Sequence, residues 1–490
     1  MHHPPSRRVL LGWAAATAAA AAAPLSGLAG RPLPRLVVER RTLEVKGRPA
    51  TVFGLTGPDG HPGLVLEPDQ RFAFEVENCA GEPTIIHWHG QTPPTSQDGV
   101  LDTGYEGPIA AGGTHPYDFA ARPGTHWMHS HYGLQEQALL AAPLIVRSKD
   151  DLALDAQDVT MFLHDFSFRE PAELLRSIGG DAATMHGPMD MPALFAGSDP
   201  SVPLPMRPEA IPICRGSGDE AALNDIDYDA YLANDRTLDD PFVARVERNG
   251  RVRLRVINGA SATCFWIDLG AKQGRVIAAD GNPVKPVAGS RFPVAEGQRL
   301  DILLDVPPGG SVAALAQREG DFERTGIVLA SPGASIARIA TLARERAAPI
   351  DLSLEHRLEA VAPLAPKSPD AWRLVTLAGS MQPCLWTMNE RPWSSHKAVR
   401  VLRDQRVIME ISNASLMAHA MHLHGHAFQV VALNGKPIAG AMRDTVLVPA
   451  LGSVTIAFDA GNVGRWLFHC HNLWHMATGM MTELDYKYAP

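Results

Sequence analysis

Histidines spaced two residues apart near both ends of the chain limit the folds that this sequence can adopt. The sequence reads HWHG at 87–90 and HSH at 129–131, then HAMHLH at 419–424 and HCH at 469–471. Side chains alternate between the two faces of a strand, so residues i and i+2 point the same way. Each His-x-His pair therefore presents two imidazoles on one side of a strand. We expect a strand-rich fold that brings the two ends of the chain together.

Other parts of the chain also have the pattern of short strands. Polar and apolar residues alternate over 71–77, 251–257 and 453–458, and turn-forming pairs such as Asp280-Gly281 lie between runs of this kind. Frequent short strands separated by glycine and proline are typical of β-sandwiches and barrels. The sequence therefore predicts an all-β chain.

The histidine motifs form a two-part pattern that occurs twice, which indicates a repeat in a first and a last domain. We assign residues 31–150 to the first domain and residues 371–490 to the last. Residues 151–340 contain no His-x-His pair and are predicted to form a middle domain that acts as a scaffold. A linker is predicted over 341–370.

Two segments depart from the strand pattern. Leu352 to Ala360 is expected to be briefly helical, and prolines follow it within the linker. Residues 170–222 are rich in Pro, Gly and Met, and this composition predicts loops.

The N-terminus has the pattern of a targeting signal. Arg7 and Arg8 precede an alanine-rich apolar run from Val9 to Ala23, which is short for a membrane span of about 20 residues. An arginine pair is typical of twin-arginine signals, although plain secretory signals also begin this way. We predict that residues 1–30 are a signal peptide, and that the protein is exported to a bacterial periplasm without a stable membrane anchor.

Charge and cysteine content narrow the remaining possibilities. The net charge is −9 with acids and bases interspersed, which does not indicate a nucleic-acid partner, and we expect a monomer. The chain has 5 cysteines, so at least one is unpaired. Cys470 is the candidate, because a metal-bound thiolate cannot also form a disulfide. The other four either pair with one another or remain buried thiols: Cys79, Cys214, Cys264 and Cys384.

The motif HCHNLWHMATGM, which begins at His469, combines thiolate, imidazole and thioether ligands. On a strand, Cys470 points away from His469 and His471, so two metal centres can lie on opposite sides of the same strand. His419 is three residues from His422 and faces the side of Cys470. His475 and Met480 can return from a loop after the strand.

Cys470, His419 and His475 with a weak axial Met480 match the ligand set of a blue-copper electron-transfer site. Eight more histidines, four from each end of the chain, suit three copper ions. They are His87, His89, His129, His131, His422, His424, His469 and His471. Zinc is the main rival, but structural zinc sites use four ligands and close locally.

Taken together, the four motifs resemble those of the multicopper oxidases, the family of laccases and bacterial copper-tolerance oxidases. The likeness covers nearly the whole mature chain and implies three cupredoxin-like Greek-key domains. It implies that four copper ions are bound. The implied ligands are Cys470, His419, His475 and Met480 for type 1 copper, His87 and His422 for type 2, and His89, His129, His131, His424, His469 and His471 for the type 3 pair.

The resemblance also implies a reaction. A small reductant, either phenolic or organic or cuprous ion, is oxidised one electron at a time at type 1 copper. Electrons then pass through Cys470 to His469 and His471, and dioxygen is reduced to water. Asp98 stands where the family has an acidic residue near the trinuclear site and fits a general acid, although Asp-Gly is also an ordinary turn. Met476 stands where bacterial members often carry Glu, so the second carboxylate of a proton relay is missing there.

Two alternatives belong to other functional classes. One is a copper-binding tolerance protein with little turnover, which oxygen uptake would distinguish from an oxidase. The other is a metal-free structural cupredoxin protein, against which Cys470 and the ten histidines argue. The short segment 185–191 contains three methionines, which is a weak indication that the substrate is cuprous ion. The favoured interpretation of this segment is an ordinary loop in which the methionines are incidental. Asp444 and Glu390 are acids considered for a substrate pocket.

Overall fold

The computed structural model describes residues 32–180, 223–247, 250–381 and 384–487. The predicted signal peptide, Cys214 and the methionine-containing segment 185–191 lie outside the described residues. Strands dominate the described part of the chain, and none of its helices is long and apolar enough to cross a bilayer. The short α-helices there are α1 (Lys149–Ala153), α2 (Pro171–Ser177) and α3 (Leu473–Ala477).

Two four-stranded sheets come first along the chain. One contains β1 (Arg35–Val45), β2 (Arg48–Thr56), β4 (Phe72–Asn78) and β6 (Thr114–Phe119) in the order β2-β1-β4-β6. The other contains β3 (Leu64–Leu66), β5 (Ile86–His89), β7 (Gly124–Ser130) and β8 (Ala141–Val146) in the order β3-β8-β7-β5. Buried side chains from both sheets, among them Phe72 and Trp88, form one core, so the two sheets make a sandwich.

The middle of the chain repeats this arrangement with larger sheets. One has the order β10-β9-β12-β17-β14-β15 and the other the order β11-β19-β18-β13-β16. Leu254 and Ile302 from the first sheet share a core with Phe265 and Ile327 from the second. The strands are β9 (Gln157–Phe166), β10 (Ala230–Ala233), β11 (Val243–Arg245), β12 (Arg251–Asn258), β13 (Phe265–Asp268), β14 (Gly274–Ala279), β15 (Asn282–Gly289), β16 (Arg291–Val294), β17 (Arg299–Asp305), β18 (Ser311–Arg318) and β19 (Arg324–Ala330).

A third pair of sheets follows. One runs β21-β20-β23-β29-β25-β26 with β27 beside β25, and the other runs β22-β31-β30-β24-β28. Cys470 lies in the core between them with Val375, Ile411 and Phe468. The strands are β20 (Ala371–Met381), β21 (Cys384–Met388), β22 (Val399–Leu402), β23 (Arg406–Asn413), β24 (His419–Leu423), β25 (Phe428–Leu433), β26 (Lys436–Pro437), β27 (Met442–Arg443), β28 (Thr445–Val448), β29 (Ser453–Asp459), β30 (Arg465–Cys470) and β31 (Met481–Lys487).

The three alternating segments are strands, as predicted: β4, β12 and β29. In β4 burial alternates residue by residue, but in β12 every residue after Arg251 is buried. Two of those residues are arginines, and Arg255 donates to Thr125 Oγ1 at 2.8 Å and to Asp301 Oδ2 at 3.4 Å. The polar face of β12 is therefore buried and its charges are paired there.

Two predictions for irregular segments are wrong. Residues 352–360 form hydrogen-bonded turns, because Leu352 O and Leu354 O accept from residues four positions later without the consecutive pattern of a helix. Part of the segment predicted as loops is the helix α2, which begins at Pro171. Proline suits the first position of a helix because its φ is already helical and because a backbone N–H at that position would have no partner within the helix.

Cys79 and Cys264 are free thiols in the structure. Cys79 is exposed, so the alternative of four buried thiols is wrong for this residue. Cys264 is buried and donates to Glu296 Oε2 at 3.1 Å. Burial raises the pKa of the Cys264 thiol, which keeps it protonated.

Candidate metal centres

Strand pairing places the four histidine motifs opposite one another. In the β5–β7 ladder His87 lies opposite His129, and in the β24–β30 ladder His422 lies opposite His469. The two ladders face each other, because the ring of His89 stacks on that of His422 with centroids 3.7 Å apart. The ends of the chain therefore meet, as the sequence predicted.

The eight histidines from the two ladders form overlapping groups. Within each group the candidate ligand atoms lie within 4.8 Å of one another. The groups are His89, His129 and His471; His131, His424 and His469; and His87, His89 and His422. Six histidines thus divide into two sets of three, and His87 and His422 remain as a pair beside them.

Several buried ring nitrogens in this cluster have no hydrogen-bond partner. They are Nε2 of His87, His129 and His422, Nδ1 of His89, and both ring nitrogens of His131 and His471. Buried polar atoms are normally paired, so a set of unpaired nitrogens that converge indicates a site for cations. In two of these rings a backbone carbonyl accepts from the other nitrogen: Asp98 O from His87 Nδ1 at 2.8 Å, and Asp444 O from His422 Nδ1 at 2.9 Å.

Burial keeps several rings of the cluster neutral. Burial, reinforced by the neighbouring imidazoles, lowers the pKa of His89, His422 and His424 well below its usual range. Burial also lowers the pKa of His469 to about 3. Neutral imidazole is the form that binds a metal, so the cluster fits copper ions at neutral pH.

Cys470 forms a separate group on the other side of β30. Its Sγ lies 3.7 Å from His419 Nδ1 and 3.6 Å from His475 Nδ1, and the two nitrogens are 3.1 Å apart. All three side chains are buried. Burial raises the pKa of the Cys470 thiol well above its usual range, so metal binding must displace a proton. This trigonal set fits copper.

The short helix α3 returns His475 to Cys470, where the sequence predicted a loop. Asn472 caps the helix and accepts from the backbone N–H groups of Trp474 and His475 at 3.0 and 3.3 Å. Met480 is buried in the same core as Cys470, and Cys470 N donates to Met480 O at 3.0 Å. The backbone thus holds Met480 beside the group.

Further contacts fix the two histidines of this group. Ser415 Oγ is 2.8 Å from His419 Nε2, and Asp225 Oδ2 is 3.2 Å from His475 Nε2. Asp225 comes from the segment before β10, and it also accepts from Asn472 Nδ2 at 2.8 Å. No sequence pattern marked Asp225, because its distance along the chain from His475 hides the contact.

Asp98 lies against the histidine cluster. Its Oδ2 is 2.9 Å from His424 Nδ1 and its Oδ1 is 3.5 Å from His87 Nδ1. The side chain is buried, and the following Gly99 adopts φ +75°. A Cβ at Gly99 would lie 1.7 Å from Ile86 O, so only glycine permits this turn beside β5.

Glu136 is a second carboxylate that sequence reasoning missed. Its Oε2 lies 2.7 Å from His129 Nδ1, and its Oε1 lies 4.0 Å from His471 Nδ1. The group is buried, and burial raises its pKa well above its usual range. Its position seven residues after His129 on the chain was the only available signal.

Asp444 is not at a substrate pocket, because it is buried and paired. It accepts from both terminal nitrogens of Arg299 at 2.6 Å, and its Oδ1 is 3.2 Å from His89 Nε2. Glu390 lies in an exposed turn between β21 and β22, with φ +65°. Asp444 therefore lies beside the histidine cluster as a paired carboxylate and not in a substrate pocket.

Comparisons with known proteins agree with this arrangement. Sequence models of multicopper oxidases match residues 37–151, 214–323 and 366–489. Multicopper oxidase MmcO of Mycobacterium tuberculosis is 29% identical over 89% of this chain and 83% of its own length. Copper resistance protein A of Escherichia coli is 24% identical over 87% and 88% of the two chains, and laccase-1 of Botryotinia fuckeliana is 24% identical over 91% and 81%.

Solved structures show the same fold. Fet3p, a multicopper oxidase that functions in iron import, superposes with a TM-score of 0.72 at 16% identity, over 92% of this chain and 90% of that one. A multi-copper oxidase from Pseudomonas thermotolerans gives a TM-score of 0.66 at 21% identity, over 92% and 98%. The three sandwiches are therefore cupredoxin-like, as predicted.

The fold, the cluster of eight histidines and the separate group around Cys470 define a copper-dependent oxidoreductase. The chain belongs to the multicopper oxidase family. Members bind four copper ions, one of type 1, one of type 2 and two of type 3, and they use dioxygen and a reducing substrate. The described residues supply buried groups of suitable ligand atoms for these ions.

Proposed function

We propose that this protein couples the one-electron oxidation of a small reductant to the four-electron reduction of dioxygen to water. One observation carries the proposal. The strand β30 places Cys470 in the cysteine group, which consists of Cys470, His419 and His475. The same strand and the residue after it place His469 and His471 in the histidine cluster. A covalent path of a few bonds thus joins a site for accepting electrons to a site that fits three ions.

We assign the metal ligands as follows. Cys470, His419, His475 and Met480 would hold type 1 copper. His87 and His422 hold type 2 copper. The type 3 ligands are His89, His129 and His471 for one ion and His131, His424 and His469 for the other. Bound copper supplies the one-electron chemistry at Cys470 and the reduction of dioxygen at the histidine cluster.

The protein's own residues orient the ligands, exclude water and supply protons. Asp98 contacts His424 from inside the cluster and is the candidate general acid for the oxygen reaction. Glu136 and the carbonyl of Asp98 each contact a ring nitrogen that faces away from the proposed ions, which sets the orientation of His129 and His87. All these groups are buried, so water does not weaken their hydrogen bonds.

The reductant is proposed to deliver its electron on the His475 side. Asp225 contacts His475 Nε2 there, and a carboxylate suits either a phenol that gives up a proton with its electron or a cuprous ion. The chain is similar both to relatives named laccase and to relatives named copper resistance protein, so both classes are tested. Comparing turnover of a phenol and of cuprous ion by the same preparation would identify the preferred class.

We further propose that the protein is an exported monomer of the bacterial periplasm, with residues 1–30 removed as a signal peptide. The domain limits 31–150, 151–340 and 371–490, with a linker over 341–370, are part of the same proposal. The three matched sequence regions support this division.

The test is the stoichiometry of the reaction. Copper-loaded protein is given a one-electron phenolic reductant in a closed oxygen electrode, and peroxide is assayed in parallel. Four reductants oxidised per dioxygen, without peroxide, is the expected result. Peroxide at two reductants per dioxygen contradicts a complete histidine site, and copper binding without oxygen uptake supports the alternative of a copper-binding tolerance protein with little turnover. Cys470→Ser is the control, because it removes the type 1 thiolate and should abolish turnover while leaving the histidine cluster.

A further inference from the structure

Three carboxylates follow one another at four-residue steps in the loop after β5: Asp98, Asp102 and Glu106. The first two face the histidine cluster. Asp98 Oδ2 is 2.9 Å from His424 Nδ1, and Asp102 Oδ2 is 4.0 Å from His131 Nδ1. Glu106 contacts none of the proposed ligands in its hydrogen bonds, and the reaction as described so far gives it no part.

The Glu106 carboxylate is held behind Asp98. Gly99 N donates to Glu106 Oε1 at 2.6 Å, and Tyr117 Oη donates to Glu106 Oε2 at 3.0 Å. Gly99 directly follows Asp98, so Glu106 binds the peptide unit that joins the two residues. Gly99 packs closely against Ile86 O, so this peptide lies directly against β5.

Glu106 also reaches towards the surface. The residue is half-buried, while the adjacent Tyr105 is 46% exposed and Gly107 is exposed. Asp98, by contrast, is 1% exposed. Of the two carboxylates, Glu106 is therefore the one that can exchange protons with solvent.

The groups around Glu106 favour exchange near neutral pH. Burial, with a smaller contribution from the charge of Asp98, raises the pKa of Glu106 to about 7 against the opposing effect of the donors Gly99 N and Tyr117. Tyr117 itself stays protonated, because burial raises its pKa well above the usual range. Arg465, which is paired with Glu483, contacts the loop that carries Glu106 by donating a hydrogen bond to Thr103 O.

We propose that Glu106 is the outer carboxyl group of a proton path that reaches the histidine cluster on the side of Asp98. The inference rests on the proposed function. Reduction of one dioxygen to two waters consumes four electrons from the reductant and four protons. Each proton that leaves Glu106 inward is replaced from solvent, so Glu106 is unchanged over a cycle. It acts through the Asp98 segment and is a positioning residue for protons.

The proposed path uses Glu106, which lies far along the chain from Met476, the position where bacterial members of the family often carry a glutamate. Met476 is buried in an apolar cluster with Val100 and Leu473 and offers no exchangeable proton. Val100 follows Gly99 in the same loop, so the loop covers Met476 on one side and presents Glu106 on the other. A proton path along this loop is therefore independent of the position of Met476.

The test compares Glu106→Gln with Glu106→Asp in the copper-loaded protein. Gln keeps an oxygen that accepts from Gly99 N but carries no exchangeable carboxyl proton. We expect Glu106→Gln to lower kcat about tenfold near neutral pH, less than the roughly 100-fold loss expected when a placed proton donor is removed, because Asp98 remains. The KM for the reductant, the copper content and the blue absorbance should be unchanged. Glu106→Asp should recover part of the rate.

The pH profile gives the sign of the effect. Wild-type kcat should fall as pH rises through about 7, because a deprotonated Glu106 has no proton to pass on. Glu106→Gln should lose this inflection. The matched control is Glu323→Gln, which changes another partly buried carboxylate with a raised pKa, beside Arg318 in the middle of the chain. It should keep the wild-type profile.

Infrared difference spectra supply a readout that does not depend on turnover. Stepping the pH of the copper-loaded resting protein across about 7 should reveal a carboxyl band that Glu106→Gln lacks and Glu106→Asp shifts. An unchanged rate and profile in Glu106→Gln overturns the proposal and leaves Glu106 as a structural tie. Burial also raises the pKa of Glu319 to about 7, so carboxyl bands remain in the variant; a carboxyl difference spectrum identical in wild type and Glu106→Gln overturns the proposal as well. If wild type fails the four-to-one stoichiometry, the proposed function fails, while the infrared result still decides whether Glu106 titrates.

Discussion

Asp98 and Cys470 divide the proposed reaction between two residues, so single substitutions should separate its halves. Asp98→Asn keeps an oxygen near His424 but removes the acid. We expect the blue absorbance to bleach with reductant at the wild-type rate and to return in air about 100-fold more slowly, as for loss of a placed general acid. Stopped-flow absorbance measures both phases. Asp118→Asn, at a surface pair with Arg71, should behave like wild type. Equal slowing of both phases would contradict the assignment.

Among single residues, sequence reasoning identified those that share a motif. His-x-His spacing and the face of Cys470 follow from strand alternation alone, and the structure has these residues in the expected groups. Asp225, Glu136 and Glu106 could not be found in this way. Each reaches its partner through the fold rather than through a fixed spacing on one strand, so no local pattern marks it.

The turn between β16 and β17 brings part of the middle of the chain against the histidine cluster. Gly297 has φ +74°, and a Cβ there would lie 2.8 Å from His471 Cδ2 and 3.1 Å from His89 Cε1. Gly297→Ala should displace these rings and lower the copper content of the histidine cluster, while the blue absorbance of the Cys470 site remains. Metal analysis with absorbance measures both.

Gly309→Ala is the matched control for this substitution. Gly309 has φ +66° and nothing within 4 Å of its Cβ position, so it carries the same backbone strain without the contact. Full copper content in Gly297→Ala would contradict a role for this turn in shaping the cluster. So would equal copper loss in both variants, because the loss would then come from strain alone.

The strands themselves were largely predictable and the connections were not. Alternation correctly marked β4, β12 and β29, because their faces meet different environments along most of their length. It failed to foresee that Arg253 and Arg255 of β12 are buried, since burial of a polar face depends on charges supplied by other strands. The helix α3 was missed because five residues are too few for a helical period to show.

Across the whole molecule, buried ion pairs connect regions that are distant in sequence. Arg299 in β17 is fully buried, donates to Thr125 O in β7 at 3.1 Å and pairs with Asp444 after β27. Removing one partner of such a pair leaves an uncompensated charge, so Arg299→Ala should lower the free energy of unfolding by roughly 3–5 kcal/mol. Denaturant unfolding measures this. Lys149→Ala, at an exposed pair with Asp69, should show no change. Equal effects would contradict a structural role for the network.

The buried histidines make the metal-free protein sensitive to acid. Burial lowers the pKa of His426 to about 4 and that of His469 to about 3, from an ordinary value of 6.5. At pH values between each lowered pKa and 6.5, the unfolded chain binds more protons than the folded chain. Stability that is present above pH 6.5 is therefore lost as pH falls, by about 1.4 kcal/mol per pH unit for each such histidine. The Tm of metal-free protein should therefore drop steadily below pH 6.5. A constant Tm from pH 7 to about pH 4 would contradict these environments.

The coupling between the cysteine group and the histidine cluster can be followed through the blue absorbance of the copper-loaded protein in one anaerobic cycle. A phenolic reductant is added without oxygen, and air is then admitted. We expect bleaching followed by rapid return of the colour, because electrons accepted at the Cys470 site reach a working oxygen site through His469 and His471. Colour that stays lost in air, or that never forms, would contradict this coupling.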